Sequence, residues 1–120
     1  RCLMTARKLV IPEKQIEASI LGWLKAKKIC AVKIFNGGSY NQKRGKFIFS
    51  SSRTPGVSDI IVAYKGIAIA IEVKSEAGRQ SPDQKAFEAL WTNAGGYYTV
   101  ARSIEDVENF LNQINDEVTK

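Results

Sequence analysis

The chain has 120 residues, with 18 Lys and Arg against 12 Asp and Glu for a formal charge of +6, and 44% hydrophobic residues. That length suits a single domain with a real core and leaves no room for two, the composition is globular rather than disordered, and no apolar run reaches the length of a membrane span. Two cysteines without metal-like spacing, no histidine and no signal-peptide pattern predict a soluble, cytoplasmic protein, exclude an ordinary zinc centre, and point the positive charge toward a polyanionic partner.

Pro12 suits the first turn of a helix, and Ile16, Ile20, Leu21, Trp23 and Leu24 recur with helical spacing to about Lys28, with Glu13 and Glu17 on one face. Cys30 to Phe35 reads as a strand, with Cys30 a buried free thiol, and a Gly-rich basic loop follows. Lys33, Lys43, Arg44, Lys46 and Arg53 belong to a stretch with no acidic residue, interleaved with Tyr40, Gly37, Gly38 and Gly45. Such a run is either a solvated face or a loop able to follow phosphates. Lys46 to Ser50 reads as a short strand, and Pro55 and Gly56 turn the chain into Asp59.

Asp59 to Tyr64 and Ile67 to Lys74 are rich in β-branched residues and joined by Lys65-Gly66, the pattern of a β-hairpin. With a two-residue loop Tyr64 faces Ile67, and counting outward sets Asp59 opposite Glu72. Opposed Cβ atoms lie about 4.5–5.5 Å apart, close enough for two carboxylates to share one divalent cation. Alternation brings Lys74 to the face of Glu72. Ile60, Val62, Ile69 and Ile71 form one apolar face, and Ile61, Ala63, Ala68 and Ala70 the other, so the sheet is expected to be covered on both sides. A Glu72–Lys74 salt bridge, with Asp59 a solvated strand-end residue, accounts for the same charges.

Ser81-Pro82-Asp83-Gln84 combines an N-cap, a proline at the first helical position and a capping-box partner. The helix it opens buries Phe87, Leu90, Trp91 and Ala94 and stops at Gly95-Gly96; Tyr97 to Ala101 is a strand, and Ser103 caps a last helix striped by Val107, Phe110, Leu111 and Ile114. The order predicts an α/β fold, an α-β-β-β-α-β-α core whose mixed sheet is flanked by helices.

In order and spacing, Gly56 with Asp59, Glu72 with Lys74, and Ser81-Pro82 with Gln84, preceded by Glu17 on a helix, resemble the PD-(D/E)XK nuclease superfamily and, within it, the VRR-NUC domain, the virus-type replication and repair nuclease. The likeness runs from about residue 11 to 114, with Ser58 where the superfamily pattern has proline. It implies a restriction-endonuclease-like fold and a Mg²⁺- or Mn²⁺-dependent endodeoxyribonuclease. Asp59, Glu72 and the Val73 carbonyl would be the metal ligands, and Glu17, favoured over Glu13, would complete the shell through water or hold a second ion. Lys74 would orient or deprotonate the attacking water or pair with the phosphate, and Gln84, with Gln80 as the fallback, would position one of them. Lys33, Tyr40, Lys43, Arg44, Lys46 and Arg53 would engage DNA. The resemblance further implies a homodimer that cuts branched DNA such as Holliday junctions in a bacterial or phage-infected cell, with no membrane partner and no small-molecule cofactor. The competing expectations are a restriction-like duplex endonuclease, a non-catalytic DNA-binding module of the same fold, and a basic RNA-associated protein.

Overall fold

Counting outward from Lys65-Gly66 gives the observed register. In a computed structural model of the chain, which describes residues 10–35, 39–41, 46–48 and 54–118, strands β4 (Ile60–Tyr64) and β5 (Ile67–Val73) pair antiparallel from Tyr64 opposite Ile67 to Ile60 opposite Ile71. Lys65 and Gly66 take φ of 51° and 80°, the left-handed pair that a type I′ turn requires. The ladder ends at Ile60 and Ile71, and Asp59 and Glu72 are the next residues at the open end of the hairpin.

Among the described residues the other elements are α1 (Glu13–Ala26), β1 (Cys30–Lys33), β2 (Ser39–Asn41), β3 (Lys46–Ile48), α2 (Pro82–Asn93), β6 (Tyr97–Ala101) and α3 (Ile104–Val118). The main sheet runs β1-β4-β5-β6, with β1 antiparallel to β4 and β6 parallel to β5. α2 makes the crossover that a parallel neighbour demands. Strands β2 and β3, described through their backbone, pair antiparallel as a separate ribbon. β3 falls within the strand expected over 46–50, whereas β2 lies in the stretch expected to be loop.

The core lies on one face of the sheet. Ile60, Val62, Ile69, Ile71 and Val73 pack there against Ile16, Ile20 and Leu24 of α1 and Val107, Leu111 and Ile114 of α3. The opposite face is only partly covered. Ala63 and Ala68, near the turn, are exposed, and α2 packs beside β6.

Two expectations of burial are corrected. Leu90 is 64% exposed and Ala94 is also exposed, because the α2 face turned to the sheet is centred on Gln84, Phe87 and Trp91, and Leu90 and Ala94 lie to one side of it. Phe87 and Trp91 stack at 5.7 Å between ring centres, and Trp91 donates its indole N–H to the Tyr97 carbonyl at 2.8 Å. Cys30 is an exposed free thiol rather than a buried one; it opens β1, the edge strand, where no further strand covers it.

Gly56 connects the turn before β4 to α2. Its φ is 74°, and a Cβ there would run into the Asp83 carbonyl and the Gln84 backbone nitrogen. A residue without a side chain is what lets the Asp59 loop lie against the first turn of α2.

Candidate functional site

Glu72 is 1% exposed, an unusual degree of burial for a carboxylate. One of its oxygens, Oε2, accepts a hydrogen bond from Gln84 Nε2 at 3.0 Å and lies 3.8 Å from Lys74 Nζ. The other, Oε1, is buried and has no hydrogen-bond donor. Asp59 sits beside it, with Oδ2 accepting the Val73 backbone N–H at 2.9 Å. Burial, then the charge of Asp59 and a hydrogen-bonding contact with it, push the Glu72 carboxyl up to about 8, against a lesser downward pull from Lys74. The salt bridge anticipated between Glu72 and Lys74 is therefore present, yet it leaves half of the carboxylate without a partner.

Gln84 does two jobs with one side chain. Its amide oxygen accepts the Ser81 backbone N–H at 2.8 Å while Ser81 Oγ accepts the Gln84 N–H at 3.2 Å, completing the capping box, and its amide nitrogen reaches Glu72. The capping box is present, and the side chain also reaches the site, where its partner is Glu72 rather than Lys74, one of the partners expected from the sequence. Gln80 points elsewhere: its Nε2 donates to the Tyr98 phenol at 2.9 Å and to Glu88 Oε1 at 3.1 Å. Burial pushes the Tyr98 phenol up to about 12, with the Glu72 charge adding to the rise. Tyr98 escapes motif reading, but the parallel register that sets it opposite Ala70 puts it on the face of Glu72. Ser58, next to Asp59, is fully buried, and its hydroxyl has no hydrogen bond of good geometry.

On the α1 side, a groove of about 330 Å³ is lined by Asp59, Glu13, Glu17, Lys14, Lys33, Ile34 and Phe35. Glu17 is held by Lys33 at 3.1 Å, whereas Glu13 is the helix carboxylate whose charge contributes to the rise at Glu72. Among the described residues, neither joins Asp59 and Glu72 in a ready-made cluster of three ligands. Of the residues expected to engage DNA, Lys33 lines this groove. Lys43, Arg44 and Arg53 lie outside the described residues, and Tyr40 and Lys46 are described only through the backbone of β2 and β3.

Among solved structures, the chain is similar to one described as a VRR_NUC domain protein, with a TM-score of 0.64, 19% sequence identity and 88% of each chain covered. The fold is VRR-NUC-like. No family model and no curated protein matches the chain. In this VRR-NUC-like fold the open end of the β4–β5 hairpin, the first turn of α2 and the start of α1 converge on Asp59 and Glu72.

The donor set fits a hard divalent cation. Glu72 Oε1 is a buried oxygen lacking a donor and Asp59 is next to it; burial first, and the Asp59 charge second, hold the Glu72 proton well above the ordinary carboxylate range. Oxygen ligands without histidine or thiolate suit Mg²⁺ or Mn²⁺, and Mg²⁺ in particular accepts few protein ligands and retains several waters.

Proposed function

We propose that the chain is a Mg²⁺- or Mn²⁺-dependent endonuclease that hydrolyses phosphodiester bonds in DNA, with branched DNA such as four-way junctions as its preferred substrate. The observation that carries this reading is the buried Glu72, with one oxygen lacking a donor, set beside Asp59 and Lys74 at the end of a hairpin in a VRR-NUC-like fold. Asp59, Glu72 and the Val73 carbonyl would hold the cation, with Glu17 or Glu13 completing the shell through water. When bound, a divalent cation supplies charge neutralisation at the phosphate and an acidified water for attack.

The chain's own residues do the rest. Lys74, 3.8 Å from Glu72 Oε2, orients or deprotonates the attacking water or pairs with the phosphate. Gln84 donates to Glu72 Oε2, which leaves Oε1, the oxygen without a donor, as the one that would hold the cation. Lys33, Tyr40, Lys43, Arg44, Lys46 and Arg53 supply contacts that track the phosphate backbone. A homodimer would set two such sites against the strands of a two-fold symmetric junction.

The test is incubation of the purified protein with a synthetic four-way junction, a flap and a linear duplex, with and without Mg²⁺ or Mn²⁺. Metal-dependent cutting is expected, fastest on the junction, and slowed by about a hundredfold or more in Asp59→Asn. Asn is the better substitution because its carbonyl can still accept the Val73 N–H, whereas Ala would leave that donor unpaired. DNA binding with no cleavage in either metal would identify a non-catalytic binding module instead.

A further inference from the structure

Phe35 has no part in the chemistry above. Its side chain is 76% exposed and makes no ring contact among the described residues, yet it lines the groove shared by Asp59, Glu13, Glu17 and Lys33. Its position is tied to the site. β1 ends at Lys33, but the Ile34 N–H donates to the Asp59 carbonyl at 2.8 Å, continuing the antiparallel pairing with β4 by one residue on each side. Phe35 therefore follows directly on a hydrogen bond to the residue at the centre of the site. A single exposed apolar side chain is ordinary on a protein surface; what sets Phe35 apart is its place in a charged groove beside Asp59, where the ring is open to a ligand.

We propose that Phe35 is a stacking platform for a nucleobase beside the scissile phosphate, and that it favours DNA whose bases can leave the duplex stack. The proposal rests on the nuclease reading and names the substrate feature that the groove recognises. Lys14 and Lys33 line the same groove, and a strand drawn to them by its phosphates brings its bases within reach of the ring. In a continuous duplex both faces of each base are covered by neighbours, whereas a base at a branch point is freed at less cost. Stacking on an aromatic side chain is tolerant of sequence, because every base has a π face. Phe35 thus confers a preference for branches without a preference for bases.

The test uses the full chain in EDTA at low salt, so that binding is read without cleavage. The probes are a splayed-arm DNA and a continuous duplex, each carrying 2-aminopurine at single positions near the branch or its equivalent. Wild type and Phe35→Trp are expected to quench the probe beside the branch. Phe35→Ala and Phe35→Leu are expected to lose the quench and bind the splayed-arm DNA about tenfold more weakly, with duplex affinity unchanged. Leu keeps apolar bulk without the π face, so matching losses in Leu and Ala assign the effect to stacking. Equal quenching and affinity in Phe35→Ala and wild type would overturn the proposal while leaving metal-dependent cleavage standing. A markedly lower melting temperature in Phe35→Ala, or loss of a wild-type dimer in light scattering, would assign the ring to protein packing and also overturn it. Failure of the wild type to bind DNA in EDTA, together with no cleavage in Mg²⁺ or Mn²⁺, would remove the nuclease reading, whereas failure to bind in EDTA with cleavage intact would overturn the stacking proposal alone, since the ring would then hold no base by itself.

Discussion

Glu72 has a hydrogen-bond donor and a nearby ammonium at one oxygen and neither at the other, and its burial beside Asp59 has a consequence for stability. A carboxyl raised from 4.5 to about 8 on folding keeps its proton in the folded chain where the unfolded chain has released it. Its contribution is fully present below about pH 4.5 and is lost as pH rises through about 8. In EDTA, the melting temperature of the wild type is therefore expected to fall across this window relative to Glu72→Gln, which has no proton to lose. Parallel pH profiles for the two proteins would contradict it. On the proposed reading a divalent cation would take the place of that proton, so adding Mn²⁺ should release protons, and the metal should bind more tightly as pH rises toward 8. At this scale the sequence was informative wherever position follows from counting: a two-residue loop and strand alternation are enough to bring Asp59, Glu72 and Lys74 together. Cys30, Leu90 and the balance between Glu13 and Glu17 were not legible, because exposure at a sheet edge, helix rotation and the choice of ion-pair partner depend on tertiary neighbours that local patterns do not encode.

The elements were more legible than their packing. Capping signals located the starts of α2 and α3, apolar periodicity located α1, and β-branched or aromatic runs located β4, β5 and β6, within a residue or two of the observed bounds, whereas α3 continues to Val118, past Ile114, where the expected core stops. β2 was missed because Ser39, Tyr40 and Asn41 offer no apolar alternation and sit among glycines and lysines. The turn at Gly56 matters at this level, since it seats the Asp59 loop on the start of α2. Gly56→Ala forces both a left-handed backbone and a collision with the Asp83 carbonyl. A loss of roughly 1–3 kcal/mol is expected, read as a lower urea midpoint, together with reduced activity as the helix start moves away from Glu72. An unchanged midpoint would mean that the loop can be reseated without strain.

Across the whole molecule, charge is divided by region. The stretch from Lys25 to Arg53 contains no acidic residue, whereas α3 carries Glu105, Asp106, Glu108, Asp116 and Glu117. A polyanion is therefore attracted to one part of the chain and repelled by another, which orients its approach. Replacing Lys43, Arg44 and Lys46 with Gln should weaken DNA binding and flatten the plot of log affinity against log salt by about 0.9 for each phosphate that is no longer neutralised. A slope identical to that of the wild type would move the DNA path to another surface. Net charge points to a polyanionic partner from composition alone, whereas the groove that sets Lys33 and Phe35 beside Asp59 is a product of the fold.

The shared amide of Gln84 links the lifetime of the site to the end of a helix. Helix termini open more often than strand interiors, and each fraying of the first turn of α2 removes the donor that pins Glu72. The sheet can stay intact while Glu72 loses that donor, so on the proposed reading the fraction of molecules with the carboxylate held for its cation would depend on how firmly Ser81 and Pro82 hold that turn shut.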